Sequence, residues 1–321
     1  MASELLKYID KYVVLENLGK GARSTIWKVQ DPGTGTFYTL KRVIRERDED
    51  DRFLEQMRIE FEVSSTIDHE YLRKSFEMKR IRSWFKTQEL LLLLEYVDGL
   101  TLKQCPPTDV EQVIEVFTKV GRGLDVLHHA GYIHADIKPK NVLVPGNGII
   151  KIIDFGQSCP IGHRKKRIQG TPDFMAPEQV KRSILDQRTD VFNLGASMYW
   201  VLTGQTFPST VPRPDSPGEF MVAPVKEFPR PDQLNPNCPS ALSKLVMDCC
   251  ERKPSRRPDN MGEVLARLDV ARHLLLRQKA PEKYGPKQKH VSGQSADERR
   301  RRRAVSPDDT AEFERFLEEI L

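Results

Sequence analysis

Residues 134–156 contain two polar motifs, His134-Ala-Asp136-Ile-Lys138-Pro-Lys140-Asn141 and Asp154-Phe155-Gly156. Between them, two β-branched runs flank the turn sequence Pro145-Gly-Asn-Gly148, which predicts a β-hairpin. This hairpin would bring Asn141 next to Asp154, and amide and carboxylate oxygens are ligands suited to Mg²⁺. Asp136 would lie nearby as a carboxylate that can orient a hydroxyl. The alternative is a pair of solvated loops in which Asp and Asn cap helices.

Length and composition set broad limits on the class of protein. The 321 residues are 38% hydrophobic and 30% charged, enough for one large core or for two lobes with a tail. A net charge of +5 gives no reason to expect a nucleic-acid partner. The five cysteines are odd in number and show no C-x-x-C spacing, so neither a disulfide framework nor a zinc site is predicted.

The chain shows no pattern typical of a membrane or secreted protein. Its N-terminus lacks a basic region followed by an apolar region, so no signal peptide is predicted. The longest apolar stretches, residues 90–94 and 191–202, are too short for a transmembrane segment. We therefore expect a cytoplasmic location.

The N-terminal part combines a glycine-containing turn with a lysine in an apolar strand. A strand pattern over residues 12–18 leads into two glycines within Gly19-Lys20-Gly21-Ala22-Arg23-Ser24-Thr25-Ile26. Glycines let the backbone approach a phosphate closely, although a simple hairpin turn is the alternative. Lys41 lies inside the next apolar run, and a lysine in such a place needs a partner. A helix is predicted from Arg52 to about Ile67.

A second, longer helix is predicted from about residue 108 to His129. Its apolar residues recur with helical spacing and indicate a face that packs into the core. His128 and His129 end this helix, and we interpret them as a C-terminal cap and a surface residue.

The two central motifs together resemble the catalytic loop and the magnesium loop of protein kinases. Further motifs match that family in the same order along the chain, namely Gly19 and Gly21, Lys41, Glu60, Ala176-Pro-Glu178, Asp190 and Arg257. Over about residues 12–271 the chain is therefore identified as similar to the eukaryotic-type (Hanks-type) serine/threonine protein kinase superfamily. His-x-Asp-x-Lys, and Gly-Thr-Pro before Ala-Pro-Glu, resemble serine/threonine rather than tyrosine kinases.

The resemblance implies an α+β, bilobal protein kinase fold. A small β-rich N-lobe with one regulatory helix would span about residues 12–95, and a hinge would follow at 95–99. A larger, mostly helical C-lobe would span about residues 100–271. The implied function is ATP-dependent transfer of the γ-phosphate of Mg-ATP to a protein serine or threonine hydroxyl.

The resemblance also implies roles for individual residues. Asp136 would orient the substrate hydroxyl and Lys138 would neutralise charge during transfer, while Asn141 and Asp154 would hold Mg²⁺, or Mn²⁺ in its place. Contacts with ATP are implied for Gly19, Lys20, Gly21, Ala22, Arg23, Ser24, Ile26, Lys41, Glu95, Val97 and Leu143. Structural support is implied for Glu60, Glu178, Asp190 and Arg257.

Two of these supporting roles depend on pairing. Glu60 would pair with Lys41, with Glu55 and Glu62 as rivals on the same helix. Glu178 would pair with Arg257, and Asp190 would support the backbone of the catalytic loop.

The sequence departs from the family pattern at three positions. Ala135 replaces the usual arginine before the catalytic aspartate, Ser24 replaces a glycine, and Ser64 replaces an apolar residue, which predicts looser packing toward the magnesium loop. One alternative is therefore a pseudokinase scaffold without activity. A small-molecule phosphotransferase is a second alternative, although the segment ending at Glu178 is typical of a platform for peptides.

The same departures bear on regulation and on the substrate. The usual arginine pairs with a phosphate on the activation segment, and Ala135 cannot, so we expect activity without such a phosphate. The basic cluster His163–Arg167 could substitute for that arginine. Lys140 and the cations of residues 164–167 also predict an acidic rather than a basic peptide substrate. The alternative is that this basic loop is only solvated.

The C-terminal part differs in composition from the rest of the chain. Residues 278–310 are polar, include five consecutive arginines at 299–303, and predict a basic disordered linker. Residues 311–321 predict a short amphipathic helix with its apolar residues on one face. We expect this helix to dock in cis or on a partner protein. The alternative is a frayed tail, and slow amide exchange over residues 309–321 would distinguish the two.

Overall fold

The computed structural model describes residues 7–21, 23–83, 86–146, 148–207 and 228–279. The chain divides into two compact units, residues 1–272 and 273–321, and the site discussed below belongs to the first. The final helix continues through Lys279, so it includes the first two residues of the predicted linker. The rest of that linker and the predicted helix over 311–321 lie outside the described residues and stay predictions.

The first part of the chain forms an antiparallel sheet of six strands in the order β1-β2-β3-β4-β6-β5. Successive side chains of a strand point to opposite faces of the sheet, and one set, which includes Val29, Leu40 and Leu93, is buried in a common core. The strands are β1 (Tyr8–Ile9), β2 (Tyr12–Lys20), β3 (Ser24–Gln30), β4 (Phe37–Ile44), β5 (Ser75–Ser83) and β6 (Lys86–Glu95).

One helix, α1 (Asp51–Thr66), is inserted between β4 and β5 and packs on this sheet. Leu54 and Met57 of α1 join Val43, Leu90 and Leu92 of the sheet in a second buried cluster. The apolar face of α1 is therefore directed at the sheet, which fixes the rotation of the helix and the direction of its polar side chains.

The rest of the unit is mostly helical. It contains α2 (Val110–His129), α3 (Pro177–Val180), α4 (Gln187–Thr203), α5 (Pro231–Leu234), α6 (Ser240–Cys249) and the start of α7 (Met261–Lys279). Helix α4 is buried along most of its length, and Gly204 ends it with a left-handed φ of 71°. A sheet with one helix, followed by a helical part, confirms the predicted α+β bilobal fold.

Two small sheets carry the central motifs of the sequence. β9 (Val142–Pro145) and β10 (Lys151–Ile152) form the predicted hairpin, and β7 (Gly99–Thr101) pairs with the outer side of β9. β8 (Tyr132–Ile133) pairs with β11 (Cys159–Pro160), so the segments before the first motif and after the second lie side by side.

Among the described residues, no helix is both long enough and apolar enough to cross a membrane. The cytoplasmic location stays a prediction.

Candidate active site

Lys41 of β4 lies between two carboxylates that come from distant parts of the chain. Its Nζ atom is 2.6 Å from Glu60 Oε2 of α1 and 3.2 Å from Asp154 Oδ1 in the magnesium-loop motif. The rivals considered for this pairing lie elsewhere, since Glu55 pairs with Arg58 and Glu62 accepts a hydrogen bond from Tyr132. The structure thus brings together three of the residues singled out in the sequence.

The charges of this cluster stabilise one another. Burial disfavours the charged form of Lys41, but Asp154 and Glu60 outweigh it and raise its pKa above the ordinary value. Lys41 in turn lowers the pKa of Asp154 well below its ordinary range, against the effect of burial. Both groups are therefore charged at neutral pH.

Arg73 is a member of this cluster that sequence reasoning missed. It lies just before β5, is buried, and its Nη2 is 3.1 Å from the second carboxylate oxygen of Glu60. Glu60 itself is fully buried and so shares its charge between Lys41 and Arg73. A cation in a mostly polar stretch of sequence carries no signal for such burial, so only the fold reveals it.

Ser64, where looser packing was expected, makes two hydrogen bonds. Its hydroxyl donates to the Glu60 carbonyl one turn earlier in α1 and lies 2.5 Å from the hydroxyl of Ser75 at the start of β5. Both serines are buried. A matched pair of hydroxyls therefore links α1 to β5 where an apolar contact was expected, and each serine satisfies the other.

The turn between β2 and β3 is the predicted phosphate loop. Gly21 N donates to the Ser24 carbonyl at 2.8 Å, and Gly19 has a φ of 154° that side-chain-bearing residues rarely adopt. A Cβ on Gly21 would lie 2.5 Å from the Ser24 hydroxyl, so a side chain at position 21 would force that hydroxyl to move. Lys20 is exposed at the end of β2, and Ala22 lies outside the described residues.

Arg23, next in the phosphate loop, makes two ion pairs. Its guanidinium pairs with Glu46 at 2.7 Å and with the buried Asp50 at 3.1 Å. The side chain thus links the turn to the segment before α1. The ATP contact of Arg23 stays a prediction.

The remaining predicted nucleotide contacts lie on β3 and β9, at the end of β6 and just after it. Ile26 of β3 is opposite Lys41 in the sheet. Glu95 ends β6, with its carboxylate on Lys151 at 2.9 Å, and the half-buried Val97 follows. Leu143 lies on β9 opposite Lys151. The Glu95 side chain is thus engaged, and its backbone N–H donates to the Lys74 carbonyl at 2.9 Å. The nucleotide contact of Glu95 stays a prediction.

The polar side chains of Lys138 and Thr171 contact Asp136 of the catalytic-loop motif. Lys138 Nζ is 2.5 Å from Asp136 Oδ2 and 2.6 Å from the hydroxyl of Thr171, which itself donates to Asp136 Oδ1 at 3.0 Å. Thr171 belongs to the Gly-Thr-Pro motif but was not predicted as a site residue. Its contact joins the catalytic loop to the segment before Ala-Pro-Glu178 across 35 residues.

Asn141 and Asp154 fit a hard divalent cation. The amide nitrogen of Asn141 donates to the Asp136 carbonyl at 2.9 Å, so this bond leaves its amide oxygen for a cation. The backbone carbonyl of Asn141 also accepts from Ile153 N at 2.9 Å, which ties the two ends of the hairpin together as predicted. The Asp154 side chain is 43% exposed and ionised. Two oxygen donors with room for water or phosphate suit Mg²⁺ or Mn²⁺.

Asp190 of α4 holds the backbone of the catalytic loop. Its carboxylate accepts from His134 N at 2.8 Å and from Ala135 N at 2.7 Å, where Ala135 has a left-handed φ of 59°. His128 Nε2 lies 2.9 Å from the same carboxylate. The interpretation of His128 as a cap is wrong, because its ring is buried against α4. Burial opposes the charge of Asp190, yet the hydrogen bond from His128 lowers its pKa.

Glu178 and Arg257 form a buried, two-pronged ion pair. The two distances are 2.7 Å and 2.9 Å, and the Thr189 hydroxyl adds a third contact to Glu178 at 3.0 Å. The guanidinium also lies over the ring of Phe192, 4.9 Å from its centre. This pair joins the end of the segment after Asp154 to the loop before α7.

Sequence comparison relates the chain to known kinases. Residues 12–267 match the family described as protein kinase domain. The PknB serine/threonine-protein kinase of Mycobacterium tuberculosis is 27% identical over 270 residues, which cover 81% of this chain and 42% of that protein. A Wee1-like protein kinase of Oryza sativa subsp. japonica is 30% identical over 258 residues, or 79% and 46%. The chain spans 38–44% of the length of the first curated relatives that it matches.

Structure comparison agrees with this assignment at the level of the fold. The crystal structure of the PknI kinase domain of Mycobacterium tuberculosis, solved as a point mutant, superimposes with a TM-score of 0.63 at 22% identity. The match covers 84% of this chain and 99% of that domain. Since the family match covers most of the chain, the chain belongs to the protein kinase domain family.

Proposed function

We propose that the chain is an ATP-dependent protein serine/threonine kinase, with a catalytic domain at residues 12–271. The observation that carries this proposal is the shared position of Lys41 between Glu60 and Asp154. A cation held there by two carboxylates is charged and placed beside the candidate metal ligands. Such an arrangement suits the binding of nucleotide phosphates.

The residues would act on the reaction in separate ways. Lys41 would bind phosphate oxygens, and Mg²⁺ held by Asn141 and Asp154 would supply further positive charge toward them. Asp136 would accept a hydrogen bond from the substrate hydroxyl and orient its oxygen toward the γ-phosphorus. Lys138, which contacts Asp136, would balance negative charge that develops on the transferred group.

Two other functions remain as alternatives. A pseudokinase scaffold would keep the fold without transfer, and the substitutions at Ala135, Ser24 and Ser64 motivate it. A small-molecule phosphotransferase would act on a soluble alcohol instead of a peptide. The bonds of Thr171 to both Asp136 and Lys138 favour a peptide, because they join the peptide-platform segment to the catalytic carboxylate.

A transfer assay with labelled γ-phosphate and an array of peptides tests this function. We expect label on serine and threonine peptides, with acidic peptides preferred over arginine-rich ones. Lys140 is exposed on the catalytic loop, and Arg164 and Lys166 are exposed on the following segment, so this face repels basic peptides. Label on small alcohols but on no peptide would favour a phosphotransferase, and nucleotide binding without any transfer would favour a scaffold.

A charge reversal makes the same assay specific for substrate preference. Lys140→Glu should reduce the ratio of acidic to basic peptide phosphorylation at least about fivefold, because it replaces repulsion of basic side chains with attraction. Lys253→Glu, an equal change at an exposed lysine far along the chain, is the matched control. An unchanged ratio in both variants would show that this face does not select the peptide.

We also expect activity without phosphate on the activation segment. Ala135 is buried in an apolar cluster with Ile133, Cys159 and Leu185, which offers no cation to a phosphate. Between Cys159 and Gly170 the sequence contains no Ser, Thr or Tyr. The flanking hydroxyls are engaged or buried, since Thr171 binds Asp136 and Ser158 is 2% exposed.

Phosphatase treatment measures this independence. The transfer rate should stay within about twofold of the untreated rate, because no phosphate contributes to the order of the segment. Mass spectrometry before and after treatment would provide the control for removal of phosphate. A loss of activity that parallels loss of a phosphate within residues 157–175 would contradict the expectation.

A further inference from the structure

The segment that follows the magnesium-loop motif is held mainly by backbone contacts. β11 pairs with β8 immediately after the motif. Gly162 N then donates to the Leu185 carbonyl at 2.8 Å, and Leu185 N donates to the His163 carbonyl at 2.9 Å. These bonds hold the first part of the segment to the strand before the catalytic loop and to the chain before α4. They end at the basic cluster of residues 163–167.

Within this basic cluster, Lys165 alone is buried. It is 9% exposed, whereas the residues on either side of it are exposed. Four neighbouring basic residues in a loop would ordinarily all remain in water, since a lysine is rarely buried without a partner. The fold therefore turns one of the four cations inward and leaves the others on the surface.

The ammonium of Lys165 donates a hydrogen bond to the carbonyl of Gln157. Gln157 follows directly on Asp154-Phe155-Gly156, so the contact joins the middle of the segment back to its beginning. Burial lowers the pKa of Lys165. The carboxylates of Asp136 and Asp190 act in the opposite direction and favour the charged amine.

The surroundings of Lys165 make its ammonium hard to replace. Its neighbour Cys159 belongs to the apolar cluster around Ala135, where the family has an arginine. Nearby, the Ser158 hydroxyl and the side-chain oxygen of Gln157 are buried without a hydrogen-bond partner. Loss of the ammonium would thus remove this hydrogen bond from the Gln157 carbonyl oxygen, beside two buried side-chain oxygens that already lack partners.

We propose that Lys165 is a positioning residue that orders the peptide platform from within, in place of a phosphate and its arginine. The inference rests on the proposed kinase function, because order of this segment matters only if a peptide binds on it. The Lys165 side chain supplies both the positive charge and the contact with the start of the segment. Since Lys165 belongs to that segment, no separate group has to be added to it. The ordered state is then present as soon as the chain folds.

Substitution of Lys165 tests the proposal. In Lys165→Met, the kcat/KM for a peptide should fall about tenfold, since one buried hydrogen bond to a charged group is lost. The KM for ATP should change less than twofold, because Lys41 and the hinge are untouched. Lys165→Arg retains a donor and a charge and should recover most of the loss. Rates are normalised to the number of nucleotide-binding sites, which removes any effect of misfolded protein.

Lys166→Met provides the matched control. It removes the same charge from the next residue, so any effect of charge on peptide binding appears in both variants. Amide hydrogen exchange over residues 157–170 should become about tenfold faster in Lys165→Met and stay unchanged in Lys166→Met. Equal exchange and equal peptide kinetics in the two variants would overturn the proposal.

A measurement on the unaltered protein keeps the proposal testable if Lys165→Met does not fold. Brief acylation with limiting acetic anhydride should label Lys140 and Lys166 at least about tenfold faster than Lys165, because only the latter is buried. Labelling of Lys165 at the rate of Lys166 would overturn the proposal. Slow amide exchange over residues 157–170 and slow acylation of Lys165, in a protein without transfer activity, would instead reject the kinase function. The ordering of the segment by Lys165 would then still stand.

Discussion

Replacement of Asp154 by Ala should lower γ-phosphate transfer at least about 10³-fold while the protein remains folded. The substitution removes both a candidate metal ligand and one carboxylate beside Lys41, and a charge aimed at the reacting group is commonly worth a factor of this size. Lys41 keeps its contact with Glu60, so no buried charge is left alone. Transfer and thermal unfolding would be measured on the same preparation.

Two further substitutions should also lower γ-phosphate transfer while the protein remains folded. Lys41→Met removes the proposed phosphate ligand, yet the buried Glu60 retains Arg73 as its partner. Asp136→Asn keeps the shape of the side chain and removes the negative charge proposed to orient the substrate hydroxyl. Glu55→Gln is the matched control, since this exposed acid of α1 pairs only on the surface with Arg58. Wild-type transfer by the Asp154 variant would refute the assignment of the site.

The largest effect on stability is expected at Arg257. Arg257→Met should lower the free energy of unfolding by about 3–5 kcal/mol, because it leaves the buried carboxylate of Glu178 without its cation. In a domain of this size that corresponds to a fall in melting temperature of about 10 °C. Chemical denaturation gives the free energy, and scanning calorimetry gives the temperature.

The neighbouring residue supplies the control for this prediction. Arg256 is exposed, and Arg256→Met should change the free energy of unfolding by less than about 0.5 kcal/mol. Similar values for the two variants would show that the buried pair contributes no more than a surface charge. A large effect at both positions would point instead to the short helical turn that contains Arg256.

The parts of the site that were predictable from sequence depend on local spacing. Asn141 and Asp154 flank a hairpin, so turn chemistry alone brings them together. Lys41 was recognisable because a lysine stood out in an apolar strand, and the resemblance to kinases indicated Glu60 among the three glutamates of α1. The fold class followed from the same motifs in their order along the chain.

The parts that escaped prediction are polar side chains buried by contacts far apart in the sequence. His128 meets Asp190 across 62 residues, and Arg73 meets Glu60 from a different element. Lys165 looked like three other surface cations until the fold turned it inward. The ion pairs of Arg23 with Glu46 and Asp50 were likewise not predicted. Burial of a polar group depends on tertiary contacts, and no periodic pattern reports it.

The sharing of Glu60 between two cations also affects which ligands can occupy the cleft. An outward displacement of α1 would break the contact with Arg73 as well as that with Lys41. A hydrogen bond between charged groups contributes about 1.5–3 kcal/mol, so the second contact lowers the population of the displaced state by about 10- to 150-fold. A small molecule that requires the displaced helix must supply this free energy from its own contacts, which disfavours that class of inhibitor for this chain.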